Sequence, residues 1–193
     1  MRVAILGAQL LEDETVLVDG EKVEASGLVY LAMNKPAGYL SSRRSQGGTP
    51  TLYELLPERF RTLKTVGRLD RDSSGLILLT NDGDFAQRMT HPRYAKMKVY
   101  EVVLNHELAP LHQQMIADFG IELEDGRSQL GLTVGENRKR WTVTMHEGRN
   151  RQIRRTFAAL GYEVRKLHRT QFGAYQLSGL KPGEVQEVPL VTQ

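Results

Sequence analysis

The sequence predicts an α+β fold built on a mostly antiparallel or mixed central sheet, with helices and loops on its flanks. Two observations carry this. Strand-like segments outnumber helical ones, and several strands adjacent in sequence are joined by short turn signals of the kind that close hairpins. A third sets the scale: 193 residues, 40% of them hydrophobic, suffice for one substantial core, or for one core and a small appendage. No internal repeat or low-complexity tract points elsewhere.

Taken in order, residues 1–27 are the appendage. Thr15 to Val23 reads as strand, Asp19-Gly20 turn, strand, and is too small for a core of its own. Ser26-Gly27 marks a boundary, after which 28–193 forms the main unit. Leu28 to Met33 is a buried strand, stopped by Asn34-Lys35-Pro36 and turned at Ala37-Gly38. Residues 41–50 are a surface loop of Ser, Arg, Gly, Thr and Pro. Thr51 can cap a short helix through Leu55. The strand 76–80 follows, then a helix over 84–90, capped by Asp82 or Asp84 and stopped by His91-Pro92. Lys98 to Leu104 is a strand whose Lys98, Tyr100 and Val102 share one face. Ala109 to Phe119 is a helix with Leu111, Met115, Ile116 and Phe119 on its apolar side. Residues 120–146 supply two or three strands. A helix from Asn150 to Leu160 ends at Gly161, Tyr162 to His168 is a strand, and Pro182-Gly183 turns the last segment.

Composition narrows the chemistry. There is no cysteine, which excludes disulfides, thiolate nucleophiles and cysteine-based metal sites. No apolar run approaches the ~20 residues of a membrane span, and the N-terminus is too short for a signal peptide, so a cytoplasmic protein is expected. The net charge is only +3, but it is segregated: residues 1–27 carry −4, 28–137 balance to zero, and 138–169 carry +8. Such clustering is the electrostatic footprint of a polyanion, or else a solvated basic helix face.

The segment Gly67 to Gly83 carries the most chemistry. It sets Asp70 between Arg68 and Arg71, adds the turn Asp72-Ser73-Ser74-Gly75, and runs into Leu76-Ile77-Leu78-Leu79. An acid held rigidly at the lip of a sheet can be a nucleophile, a general base or a structural partner for arginine. Asp72, two residues on, permits a two-carboxylate hydrolase or plain turn chemistry. A second segment, His146 to Arg155, places Arg149, Arg151, Arg154 and Arg155 at a strand-to-helix transition. In a helix starting near Asn150, Arg151 and Arg155 share a face while Arg154 points elsewhere. An arginine sent inward needs an acid, and Asp70 is the candidate. The arrangement also suits phosphates. Tyr100 is either core or a ring on which a base stacks. Lys35 and Tyr39 are candidate phosphate and base contacts, or simply loop. The five histidines show no metal-ligand spacing, and no phosphate loop or dinucleotide fingerprint is present, so no cofactor and no metal are expected.

Together, in this order, Met33 to Tyr39, Gly67 to Asp82, Lys98-Val99-Tyr100 and Glu147 to Arg155, continued by Gly161 to Val164 and Leu167-His168-Arg169, resemble the ribosomal RNA pseudouridine synthases of the RsuA-type branch. The resemblance spans roughly 28–190, and its Gly-Arg-Leu-Asp run is the most specific part. It implies the catalytic fold of that family. Asp70 is then the catalytic aspartate, Tyr100 the aromatic stacked on the target base, and Arg154 the arginine paired to the aspartate. Leu76 or Ile77 lines the uracil pocket. Arg68, Lys98, Lys35, Tyr39, Arg149, Arg151 and Arg155 complete the substrate contacts. Members often begin with a small helical RNA-binding domain followed by a linking strand pair, and residues 1–27 correspond to that pair without the helices. The expected activity isomerises a uridine of ribosomal RNA, with large-subunit RNA favoured by the Asn150 to Arg155 sequence. A monomer with no membrane partner is expected. Two rivals remain: a non-catalytic RNA-binding ribosome-assembly factor, and a nucleoside or glycoside hydrolase using Asp70 and Asp72.

Overall fold

A computed structural model describes residues 27–191, together with two short strands, β1 (Val16–Val18) and β2 (Glu21–Val23). These two pair antiparallel as a sheet of their own. The Asp19-Gly20 turn between them, and the rest of residues 1–26, lie outside the described residues.

The main unit is a nine-stranded mixed sheet. Its path runs β13 (Val185–Glu187), β3 (Tyr30–Lys35), β5 (Ser74–Thr80), β11 (Val164–Phe172), β6 (Lys98–Leu104), β10 (Arg140–Met145) and β9 (Gly131–Val134). Two more strands, β4 (Lys64–Val66) on β5 and β12 (Tyr175–Gln176) on β11, extend it. Every pair is antiparallel except β5 with β11, where His168 opposes Ser74 and Arg169 opposes Gly75.

The parallel pair lies at the centre because β5 is apolar on both faces. Ile77 and Leu79 join Leu31, Met33, Tyr100 and Val102 in one core, while Leu76 and Leu78 join Tyr30, Ala32, Phe85 and Phe172 in the other. The period-2 alternation of a strand divides one greasy run between two layers. Gly75 fits here for a specific reason. Its φ is +104°, and a Cβ at this position would lie 2.2 Å from the Arg169 carbonyl oxygen, so only glycine lets the two backbones meet.

Several expected boundaries move. The first strand continues through Asn34 and Lys35, because both polar side chains find partners: Asn34 donates to the Leu180 carbonyl and Lys35 to three others. Thr51 precedes a short 3-10 helix, Leu52–Leu55. Helix α1 (Gly83–Thr90) is capped by Asp82, which accepts from the Phe85 amide. The helix expected over 109–119 splits into α2 (Pro110–Gln114) and a π-helical turn, Met115–Phe119. The wider turn breaks the 3.6-residue register, so Ile116 is buried whereas Leu111 and Phe119 are 65% and 59% exposed. Four strands occupy 120–146: β7 (Ile121–Leu123), β8 (Gly126–Ser128), β9 and β10. Helix α3 is Gln152–Ala158, shorter than expected at both ends. Strand β11 extends to Phe172 through two register shifts.

Candidate active site

The turn carrying Asp70 is fixed from beneath. The Ser73 amide donates to the Asp70 carbonyl at 3.1 Å, which closes a tight turn over 70–73. Lys35 lies under it with no exposed surface. Its Nζ donates to the carbonyls of Ser73 at 2.8 Å, Pro36 at 3.0 Å and Asp70 at 3.2 Å, which occupies all three of its protons. Burial pulls this ammonium down to about 8, against the pull of Asp70 and Asp72. The Gly38 amide donates to the Arg71 carbonyl, and the Ser41 hydroxyl donates to that of Leu69. Four of these hydrogen bonds reach the carbonyls of Leu69, Asp70, Arg71 and Ser73 and so brace the turn from other parts of the chain.

Above the turn, the basic segment closes on it. Arg151 precedes α3 in left-handed backbone, φ 46°, a conformation that costs a non-glycine residue energy and persists where surroundings enforce it. Its guanidinium donates to both carboxylate oxygens of Asp72 at 3.0 Å and lies 3.5 Å from one oxygen of Asp70. Arg154 turns the other way. It donates to the Val164 and Asp72 carbonyls at 2.7 and 3.0 Å, and its Nε lies 3.4 Å from the Asp72 carboxylate. Burial raises the Asp72 carboxyl, but the Arg151 hydrogen bonds and the charges of Arg154 and Arg151 outweigh it, so the net shift is downward. The arginine that meets Asp70 is thus Arg151, where Arg154 was expected. With Arg151 outside the helix, it does not share a face with Arg155 either.

Asp70 borders a cleft of about 500 Å³. Tyr100, Arg68, Lys98, Arg149 and Arg151 also line it, as do Leu69, Met145, Ile153, Leu167, Arg169 and Phe172. A volume of this order holds a nucleoside-sized group. Tyr100 is 7% exposed. Five expected contacts lie elsewhere. Leu76 and Ile77 are fully buried in the two cores, because β5 is covered on both faces. The apolar lining comes instead from Leu69, Ile153, Leu167 and Phe172. Lys35 is sealed beneath the turn and is no phosphate contact. Tyr39 is half-buried and outside the cleft lining. Arg155 turns to Asp125, which it grips with two nitrogens at 3.0 and 2.7 Å.

Asp125 and Arg169 escaped the sequence reading. Asp125 anchors the hairpin of β7 and β8 to Arg149 and Arg155, a pairing across 24 and 30 residues with no local signal. Arg169 is 3% exposed and reaches the cleft from β11. Its only sign was its place in the Leu167-His168-Arg169 run.

Known proteins match this chain over most of its length. The profile of the RNA pseudouridylate synthase family matches residues 29–159. Ribosomal large subunit pseudouridine synthase B of Bacillus subtilis is 35% identical over 189 residues, covering 95% of this chain and 77% of that one. Ribosomal small subunit pseudouridine synthase A of Yersinia pestis is 37% identical over 190 residues, covering 96% and 79%. An uncharacterized RNA pseudouridine synthase of Mycobacterium tuberculosis is 40% identical over 181 residues, covering 89% and 70%. A crystal structure of a pseudouridylate synthase superposes with a TM-score of 0.78 at 28% identity, covering 94% of this chain and 80% of that one. With the family profile over two thirds of its length, these relatives and the shared mixed sheet, the chain belongs to the RNA pseudouridylate synthase family.

Proposed function

We propose that the protein isomerises a uridine of ribosomal RNA to pseudouridine, with Asp70 as the acid acting at the sugar. The observation that carries this reading is a carboxylate on a braced turn, one-third exposed, at the rim of a cleft that Tyr100 and several arginines line. The reaction breaks the N-glycosidic bond, turns the base and joins its C5 to C1′. It needs a carboxylate beside C1′ and C2′, as nucleophile or as base, and a pocket that retains the detached uracil. Leu69, Ile153, Leu167 and Phe172 give such a pocket apolar walls. The target base must leave its stack to enter, and a buried aromatic ring beside cationic walls favours that. Arg151 aims Asp70, while Arg154 holds the Asp72 carbonyl and so the end of the same turn.

We favour large-subunit RNA as the target, on the Asn150 to Arg155 sequence; the relatives carry names for either subunit. The pair β1–β2, a sheet apart from the main one, suits a linking element, and we propose that the protein acts as a monomer. The hydrolase reading is weakened because Asp72 is occupied by two arginines. Incubation with small- and large-subunit transcripts and particles, followed by pseudouridine mapping, tests the activity. One modified uridine in large-subunit RNA is expected. A site in small-subunit RNA would correct the target, release of free uracil would favour the hydrolase, and no modification would favour an assembly factor.

A further inference from the structure

One end of the cleft holds two cations, Lys98 and Arg169. Arg169 on β11 stands opposite Tyr100 on β6, and Phe172 stands opposite Lys98. Both positive groups lie against the Phe172 ring, the Arg169 guanidinium carbon 4.8 Å and the Lys98 nitrogen 5.4 Å from its centroid. Arg169 donates from Nε to the Leu76 carbonyl at 2.7 Å, and its Nη2 is sealed from solvent with no partner. Lys98 reaches only carbonyls, those of Lys96, His146 and Glu147, at 3.1 to 3.4 Å. Among the described residues neither cation meets a carboxylate, since the nearby Glu147 carboxylate is taken by Arg149 and Gln152. A buried guanidinium and a half-buried ammonium side by side without an acid are costly unless an anion arrives.

RNA brings two kinds of anion to such a place, its phosphates and a base that has just lost its sugar. The pair faces Tyr100 on the cleft floor, not the exposed rim where Arg68 lies. We propose that Lys98 and Arg169 form an anion subsite that stabilises uracil as it departs, a proposal that rests on the function read above. In the step, the C1′–N1 bond breaks and its electron pair leaves on N1, delocalised onto the two carbonyl oxygens. Asp70 meanwhile either bonds C1′ or takes the C2′ proton. When C5 bonds C1′, the carboxylate is released or returns its proton, and the C5 proton ends on N1. Fixed positive charge in a low-dielectric floor favours the separated state.

The test is single-turnover conversion at saturating RNA by Lys98→Met and Arg169→Lys, beside RNA binding and binding of 6-azauracil. This uracil analogue ionises nearer neutrality, and is used at a pH between its own ionisation and that of Lys98. Each variant is expected to slow conversion about 10²-fold with RNA affinity within about twofold, and to weaken the azauracil anion but not neutral uracil. Arg169→Lys keeps a buried cation and so guards against a folding failure. An unchanged saturated rate with weaker RNA binding, and a log–log salt slope shallower by about 0.7, marks a phosphate subsite and overturns the proposal; so does no change at all. If the wild type makes no pseudouridine, the proposed activity fails, and the azauracil comparison alone decides the subsite.

Discussion

Arg151 sits one residue outside α3, and that single position decides which acid it meets. A helix begun at Asn150 would have carried Arg151 onto the face of Arg155. In left-handed backbone it swings back over the Asp70 turn. Sequence patterning locates helix ends only to within a residue or two, so the motif was legible while its wiring was not. Asp70 and Tyr100 were legible because their neighbours fix them: one in a turn beside a buried strand, the other on a strand face. Arg151→Lys keeps the charge but loses the two-pronged grip on Asp72, and conversion is expected to fall about 10²-fold with RNA binding retained, measured under single turnover. Lys98 gives a pH test. Burial and the Arg169 charge, opposed by Glu147, pull it down to about 8. Its cation is present below that pH and lost above it. The pH–rate profile should therefore fall on the alkaline side near 8, and Lys98→Met should remove that limb. Lys35 titrates in the same range but faces backbone carbonyls alone, so the limb that vanishes with Lys98→Met belongs to the cleft.

Elements whose signals are local came through closely. Strand β6 has the expected bounds, and α1 starts where its cap stands. The π-helical turn did not, because nothing in Met115–Phe119 distinguishes a five-residue turn from a regular one; Ile116 is the residue it buries. Strand β3 ran longer than its apolar residues because Lys35 spends its three protons on carbonyls within the structure. Lys35→Met strands the Pro36 and Ser73 carbonyls, each worth about 1–3 kcal/mol when left buried and unpaired, while that of Asp70 keeps the Ser73 amide. A loss of about 3 kcal/mol in urea unfolding is expected, with conversion falling as the Asp70 turn loosens. Asp82→Ala tests the cap of α1. Asp82 accepts from the Phe85 amide and the Tyr30 hydroxyl, and the amide bond chiefly lowers its pKa. The expected cost is about 1–2 kcal/mol. Because the folded value lies below the unfolded one, this stabilisation is present above the ordinary aspartate pKa and disappears as pH falls through the folded value. Wild type and variant should converge in acid; a constant difference would place the effect in packing instead.

At the scale of the molecule, charge and topology converge on one cleft. The sheet's parallel junction brings β5 against β11, which puts the Asp70 turn, the Tyr100 strand and Arg169 within one concavity. No local pattern could announce that junction, since β5 and β11 are some 90 residues apart. The basic stretch 138–169 was legible from its excess of arginine, yet part of that charge is spent internally on Asp70, Asp72 and Asp125. The charge left for RNA is smaller than the sequence count. The log–log salt slope of RNA binding should be steep, about −0.7 per single-strand phosphate neutralised, and shallower than ten Lys/Arg would give. A flat response would remove 138–169 from the interface. The central claim is that the Asp70 carboxylate performs the chemistry, and the most direct measurement is pseudouridine formed by Asp70→Asn on RNA it demonstrably binds. The account predicts wild-type affinity with no product above background; product at a rate near the wild type's would contradict it.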